Sequence, residues 1–60
     1  MKIKPGDTVV FENPIYSSWI GIVLDVTNDI CAVEWTLTQP LILHDKADDL
    51  VVINPKDKEN

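Results

Sequence analysis

The feature that most constrains the fold is the grouping of apolar residues into short β-branched runs, which prolines and turn residues separate. These runs read TVVF, WIGIVLDV, ICAVEW, LIL and LVVI. Prolines at positions 5, 14, 40 and 55 recur too often for long helices, and no helical periodicity is present. Because short β-branched segments between turn residues are typical of strands, the sequence predicts an all-β fold of five short strands.

The length of the chain limits how such strands can be buried. Sixty residues form one domain, and a domain of this size buries only about 60% of its unfolded surface. Nearly every large apolar side chain is therefore needed in the core. We assign the domain to residues 1–53 and interpret residues 54–60, which are charged and lack glycine, as a flexible tail.

The central hairpin allows a strand register to be predicted. Asn28 and Asp29 lie between two apolar runs and suit a two-residue loop. This loop places Leu24 opposite Val33 on an apolar face, so that Leu24→Ala is expected to cost about 2–5 kcal/mol. With the neighbouring strands, the predicted inward residues are Val9, Phe11, Ile20, Ile22, Leu24, Cys31, Val33, Trp35 and Leu50. A bulge at Gly21 would reverse part of this assignment, because strand glycines often mark bulges.

The same register separates the two tryptophans. Trp35 belongs to the core set, whereas Trp19 falls on the opposite face, at the end of the loop NPIYSS. In one interpretation Tyr16 and Trp19 form a partner-contacting surface, since each ring offers a large apolar face and one hydrogen-bonding edge. Pro14 stiffens the loop and lowers the entropy cost of presenting Tyr16. In the other interpretation, Trp19 folds back over the core and Tyr16 packs against it.

Four segments of the chain are similar to those of a known group of small barrels. They are KPGDTVVF, GIVLDV, the strand ending at Trp35, and HDKADDLVVI, which together cover roughly residues 3–53. The chain resembles SH3-like small barrels, in particular their KOW and Tudor branch and the very short barrels encoded by tailed bacteriophages. The resemblance implies a five-stranded barrel with a short 3₁₀ turn, at residues 46–49, before the last strand. It also implies that the first long loop supplies peptide-binding aromatic residues.

The charge composition argues against binding to nucleic acid. The sequence contains ten carboxylate side chains, five lysines and no arginine, and its net charge is −5. Binding to a duplex depends on cationic side chains that neutralise phosphates. The first loop, ENPIYSS, also lacks the basic residues that KOW domains in contact with nucleic acid carry there. A KOW-like accessory protein associated with nucleic acid is therefore kept only as the alternative function.

No catalytic, cofactor or metal site is predicted. The densest polar cluster consists of His44, Asp45, Asp48 and Asp49. It lacks the glycine and the alternating ligands of a calcium loop, and Asp45 is better interpreted as a turn cap. Ser17 and Ser18 have no support for a hydrolytic triad in so small a domain. Cys31 alternates into the core and is interpreted as a small buried hydrophobe.

The remaining interpretation is a non-catalytic binding or assembly module. Its predicted partner-binding residues are Tyr16, Trp19, Glu12, Asp48 and Asp49. The carboxylates among them favour a basic or Pro-rich peptide as the partner. Self-association is also open, because LIL and LVVI are candidate apolar edge strands.

The expected location is the cytoplasm, or the host cytoplasm if the protein is viral. The sequence contains no apolar run near the length of about 20 residues that a membrane helix needs. Residues after Met1 do not form a signal-peptide pattern. The single cysteine has no partner for an internal disulfide, as in most proteins of reducing compartments.

Overall fold

The protein has an all-β fold with one antiparallel sheet. The structure is a computed structural model that describes residues 3–16 and 18–54, apart from the side chain of Tyr16. The strands are β1 (Thr8–Phe11), β2 (Ile20–Thr27), β3 (Ile30–Thr36), β4 (Leu41–Lys46) and β5 (Leu50–Val52). Their order in the sheet is β4-β3-β2-β1-β5. One 3₁₀ turn spans Pro14–Tyr16, and another, Ala47–Asp49, immediately precedes β5. The predicted all-β class, five strands and final 3₁₀ turn are confirmed.

A single sheet has no second layer, so it buries its apolar face by curving around its own side chains. The buried hydrophobic residues are Val9, Val23, Cys31, Val33, Trp35 and Leu50. Phe11 is half-buried and packs against this cluster. All of these except Val23 belong to the predicted inward set. The described part of the chain has no helix long and apolar enough to cross a bilayer.

A β-bulge at Leu24 overturns part of the predicted register. The pairing of Thr27 with Ile30 is as predicted, and the hairpin loop has Asn28 at a φ of 57°. Between Val23 and Asp25 the register shifts, so that Val23 rather than Leu24 lies opposite Val33. Because side chains alternate along a strand, this shift reverses the faces of the preceding residues. Leu24 is 44% exposed. The predicted inward positions of Ile20, Ile22 and Leu24 are wrong, since all three are exposed.

Trp35 explains why the bulged register is preferred. In this register Gly21 lies directly opposite Trp35 on the inner face. A Cβ atom at position 21 would overlap Val33 Cγ1 and would lie only 2.8 Å from Trp35 Cε3. Only glycine leaves room for the indole there. The predicted register instead places Ile22 opposite Trp35, where its side chain would compete for the same volume.

The start of β1 is fixed to β2 through the turn Lys4–Asp7. Asp7 N donates to Lys4 O at 3.1 Å, and Gly6 has a φ of 95°. These features, with Pro5 at the second position, match a type II turn. Gly6 N donates to Val23 O, and Val23 N donates to Asp7 O. The turn therefore holds the strand just before the bulge.

Asp7 also connects the start of the sheet to its end. Its carboxylate is buried and accepts bonds from Asn54 Nδ2 at 2.9 Å and from Lys4 N at 3.0 Å. Asn54 Oδ1 in turn accepts a bond from Thr8 N. Asn54 is the first residue of the predicted tail, whose remaining residues, 55–60, lie outside the described part of the chain. The Asn54 bond and the Lys4 backbone bond lower the pKa of Asp7 below its ordinary 3.8.

The bulge predicts a contrast between two adjacent substitutions. We expect Val23→Ala to lower the free energy of unfolding by about 2 kcal/mol, because Val23 is 1% exposed. We expect Leu24→Ala to cost less than about 1 kcal/mol, because its side chain lies on the outer face. Urea unfolding of both variants measures the difference. A larger loss of stability for Leu24→Ala than for Val23→Ala would show that the unbulged register is the correct one.

The lowered pKa of Asp7 predicts a loss of stability in acid. A carboxyl with a lower pKa in the folded state stabilises the fold above its unfolded pKa, here about 3.8. That contribution disappears as the pH falls through the lower, folded value. We expect Asp7→Asn to be less stable than wild type at pH 7. Below pH 4 we expect the melting temperature of wild type to fall further than the melting temperature of Asp7→Asn. Asp25→Asn, at an exposed carboxylate, serves as the control and should follow wild type.

Candidate functional site

A half-open cleft lies beside β5. It is lined by Glu12, Ala47, Asp48, Leu50 and Val51, and its volume is about 200 Å³. Small-molecule pockets usually measure about 300–1,000 Å³. The cleft is therefore of a size for one side chain of a partner rather than for a complete cofactor.

Three segments that are distant in sequence build this cleft. Pairing of Phe11 with Leu50 brings the end of β1 beside the start of β5. The ladder continues into the loop, where Glu12 N donates to Asp49 O at 2.9 Å. This bond fixes the loop after β1 against the second 3₁₀ turn. As a result, Glu12 and Asp48 line the same concave surface.

The cleft combines apolar and anionic lining. Ala47, Leu50 and Val51 supply its apolar part, while Glu12 and Asp48 supply two exposed carboxylates. Two carboxylates at one cleft favour a cationic group, and neighbouring aliphatic surface accommodates an alkyl stem. The predicted site named Glu12, Asp48 and Asp49, and the structure brings these three residues together. The predicted site did not include the apolar residues of the lining, because Leu50 was assigned to the core and Val51 to a candidate edge strand.

Trp19 does not occupy the outer face that the unbulged register gave it. Its side chain is half-buried and packs against the hydrophobic core. The ring centroids of Trp19 lie 5.9 Å from Phe11 and 6.1 Å from Trp35, with tilted planes. Phe11 and Trp35 are themselves stacked at 4.3 Å. The geometry therefore gives Trp19 a packing role, and a partner-binding role for Trp19 stays a prediction.

The other predicted aromatic contact, Tyr16, ends the first 3₁₀ turn. Its side chain lies outside the described part of the structure, so its predicted role stays untested. Asn13 Oδ1 accepts a bond from Ile15 N at 3.0 Å and fixes the entry to this turn. The adjacent Ile15 is 79% exposed, the largest exposure among the large hydrophobic residues described.

The polar cluster around His44 is dispersed by the fold. Asp45 accepts a hydrogen bond from Trp35 Nε1 at 3.1 Å, while His44 lies exposed on β4. Asp48 lies in the following 3₁₀ turn, at the cleft. Within the described residues, no three His, Cys, Asp or Glu side chains converge as metal ligands. Asp45 is thus a partner of the buried indole rather than a turn cap.

Cys31 is a buried thiol within the core. Burial raises the pKa of Cys31, and the nearby carboxylates of Asp45 and Asp29 raise it further. Both effects disfavour the thiolate, which is the reactive form of cysteine. The side chain therefore contributes to the packing of the core.

Comparison with known proteins adds no relative to these observations. No protein-family model matches the chain, and no match is found among curated proteins or among solved structures. The resemblance to SH3-like barrels accordingly stays a prediction from the sequence.

The aromatic packing predicts that Trp19 supports the fold. We expect Trp19→Ala to lower the free energy of unfolding by about 2 kcal/mol, less than the 3–5 kcal/mol of a fully buried aromatic. Ile15→Ala, in the same connection but highly exposed, is the control and should leave the melting temperature unchanged. Thermal melts followed by circular dichroism measure both. An unchanged melting temperature for Trp19→Ala would mean that its ring contributes nothing to the core.

Proposed function

We propose that the protein is a non-catalytic binding module that holds a basic peptide segment in the cleft beside β5. The observation that carries this proposal is the placement of Glu12 and Asp48 at one cleft, whose other described lining residues, Ala47, Leu50 and Val51, are aliphatic. This lining is complementary to a lysine or arginine side chain. Its alkyl stem would lie along Ala47 and Val51, and its cationic head would meet the carboxylates.

Charge supports a basic partner over a Pro-rich or acidic one. The chain carries a net charge of −5, which attracts a cationic segment over longer distances at low salt. A Pro-rich segment is usually bound by grooves lined with aromatic rings. Among the described residues, no aromatic side chain lines the cleft, and the ring of Trp19 packs against Phe11 and Trp35 instead.

The site also supports binding in preference to catalysis. A general base or nucleophile needs a partner that activates it and a substrate held within reach. Among the described lining residues, Glu12 and Asp48 have exposed carboxylates and the other three side chains are apolar. Electrostatic attraction between exposed groups is modest. We therefore expect a single basic side chain to bind weakly, with an affinity that falls as the salt concentration rises.

Titration with a short Lys/Arg-rich peptide tests this function. We expect saturable binding that weakens as salt rises, with nuclear magnetic resonance shifts centred on Glu12, Ala47 and Asp48. Asp48→Asn removes one charge with little change of shape and should raise the dissociation constant about fivefold, the effect of roughly 1 kcal/mol. Asp25→Asn, which removes an equal charge at an exposed position on β2, should have a smaller effect.

The controls separate this function from its alternatives. An acidic peptide of equal length should not bind. Equal weakening by Asp48→Asn and Asp25→Asn would show that only net charge matters and that the cleft is not the site. Oligonucleotide binding tighter than peptide binding at low salt would replace the proposal with the nucleic-acid alternative.

A further inference from the structure

The outer face of the sheet carries a row of aliphatic side chains that begins at the cleft. Val51, which lines the cleft, pairs with Val10, and Val10 pairs in turn with Ile20. Residues paired in this way are close neighbours on one face of a sheet. We call Val51, Val10 and Ile20 the aliphatic row. The row ends at Thr36, the uncharged partner of Ile20 on β3.

The aliphatic row is accessible to a partner. Ile20 is 45% exposed and Val51 is 38% exposed, while Val10 between them is half-buried. Single exposed aliphatic residues are ordinary, but neighbouring ones beside a cleft form a candidate contact surface. The bulge at Leu24 produces this arrangement, because it turns Ile20 outward and leaves Gly21 inside.

Charge indicates the kind of partner that the aliphatic row fits. A second copy of the chain would bring a net charge of −5 against an equal one, which disfavours self-association. Glu12 and Asp48 are exposed at the cleft end of the row. Glu34 borders it in the adjacent row, opposite Ile22. An aliphatic strip with carboxylates at its border is complementary to a segment that carries both a basic and an aliphatic side chain.

The distance between strands sets the spacing of these two side chains in the partner. Neighbouring strands lie about 4.8 Å apart, so Val10 and Ile20 lie roughly 5 and 10 Å beyond Val51. An extended peptide advances by about 3.3 Å per residue, and side chains two residues apart share one face. A peptide that crosses the strands with its basic residue at the cleft therefore places a side chain two residues away, at about 7 Å, between Val10 and Ile20.

We propose that the cleft and the aliphatic row form one binding surface, whose ligand is an extended segment with a basic residue and, two residues away, a large aliphatic residue. This inference rests on the proposed function of the cleft and narrows its ligand from basic segments in general to basic–aliphatic ones. The carboxylates of Glu12 and Asp48 attract the basic residue. The aliphatic row adds apolar contact, which does not weaken as the salt concentration rises.

Two end-blocked peptides of equal length and charge test the proposal with the full chain. One has the sequence Lys-Ser-Leu-Ser-Lys, in which the leucine lies two residues from either lysine, and the other has serine in place of the leucine. We expect wild type to bind the leucine peptide about fivefold more tightly, as partial burial of one leucine predicts. Its nuclear magnetic resonance shifts should extend to Val10 and Ile20, whereas the serine peptide should shift only residues of the cleft.

A pair of matched variants locates the contact. Ile20→Ser shortens the aliphatic row without altering the cleft lining. It should remove most of the preference for leucine and leave the affinity for the serine peptide unchanged. Ile42→Ser makes the same chemical change at an exposed position on β4 and should keep the preference. Circular dichroism establishes that both variants are folded, and the shifts of wild type test the same contact without a variant.

The possible results separate this ligand preference from the proposed function. Equal affinity of wild type for the two peptides, or a preference that folded Ile20→Ser retains, would overturn the basic–aliphatic ligand. The function of the cleft would still stand in that case if Asp48→Asn weakened the binding of both peptides. Binding of neither peptide at low salt would instead overturn the proposed function, and the ligand preference with it.

Discussion

The burial of Trp35 inside a single curved sheet is the constraint on which the rest of this structure depends. Its indole is stacked on Phe11, faces Gly21 on the neighbouring strand, and donates its N–H to Asp45. A fully buried indole needs such a hydrogen-bond partner, since an unsatisfied donor costs free energy. These contacts fix β2 on one side and β4 on the other. The ring therefore determines how tightly the sheet can curve.

The β-bulge at Leu24 is the means by which β2 meets that constraint. One extra residue shifts the register, so that glycine rather than isoleucine lies opposite the indole. The same shift determines which side chains lie on the outer face of the sheet. Ile20 and Ile22 face outward beside Val10 and Val51, and a small protein thereby exposes a row of aliphatic side chains. The space required by Trp35 in the core and the exposed aliphatic row on the outer face therefore have the same origin.

The carboxylates of the described residues have different environments and different consequences. Asp7 is buried and bonded to Asn54 and Lys4, which joins the first turn to the end of the sheet. Asp45 accepts the hydrogen bond of a buried indole. Glu12 and Asp48 are exposed and line the cleft beside aliphatic residues. Of these four carboxylates, Glu12 and Asp48 are the exposed ones, and they line the same cleft.

Local chemistry made several parts of this structure predictable. Pro5 and Gly6 specify the first turn, Asn28 accepts the positive φ of the hairpin loop, and β-branched runs specify strands. The acidic residues of the cleft were among the predicted contact residues, but it is the pairing of β1 with β5 that brings Glu12 beside the final turn. The aliphatic lining of the cleft was not predictable, since the same residues satisfy an ordinary strand pattern.

The sequence by itself determined the class of fold, the strand segments, the turns and most of the core, because these depend on residues close together in the chain. The tertiary structure alone decided which faces of β2 are buried and where Trp19 packs. Alternation along β2 permits either face to be inward, since both contain aliphatic residues. The choice depends on the space that Trp35 requires next to Gly21, a contact between two strands that no pattern within either strand specifies.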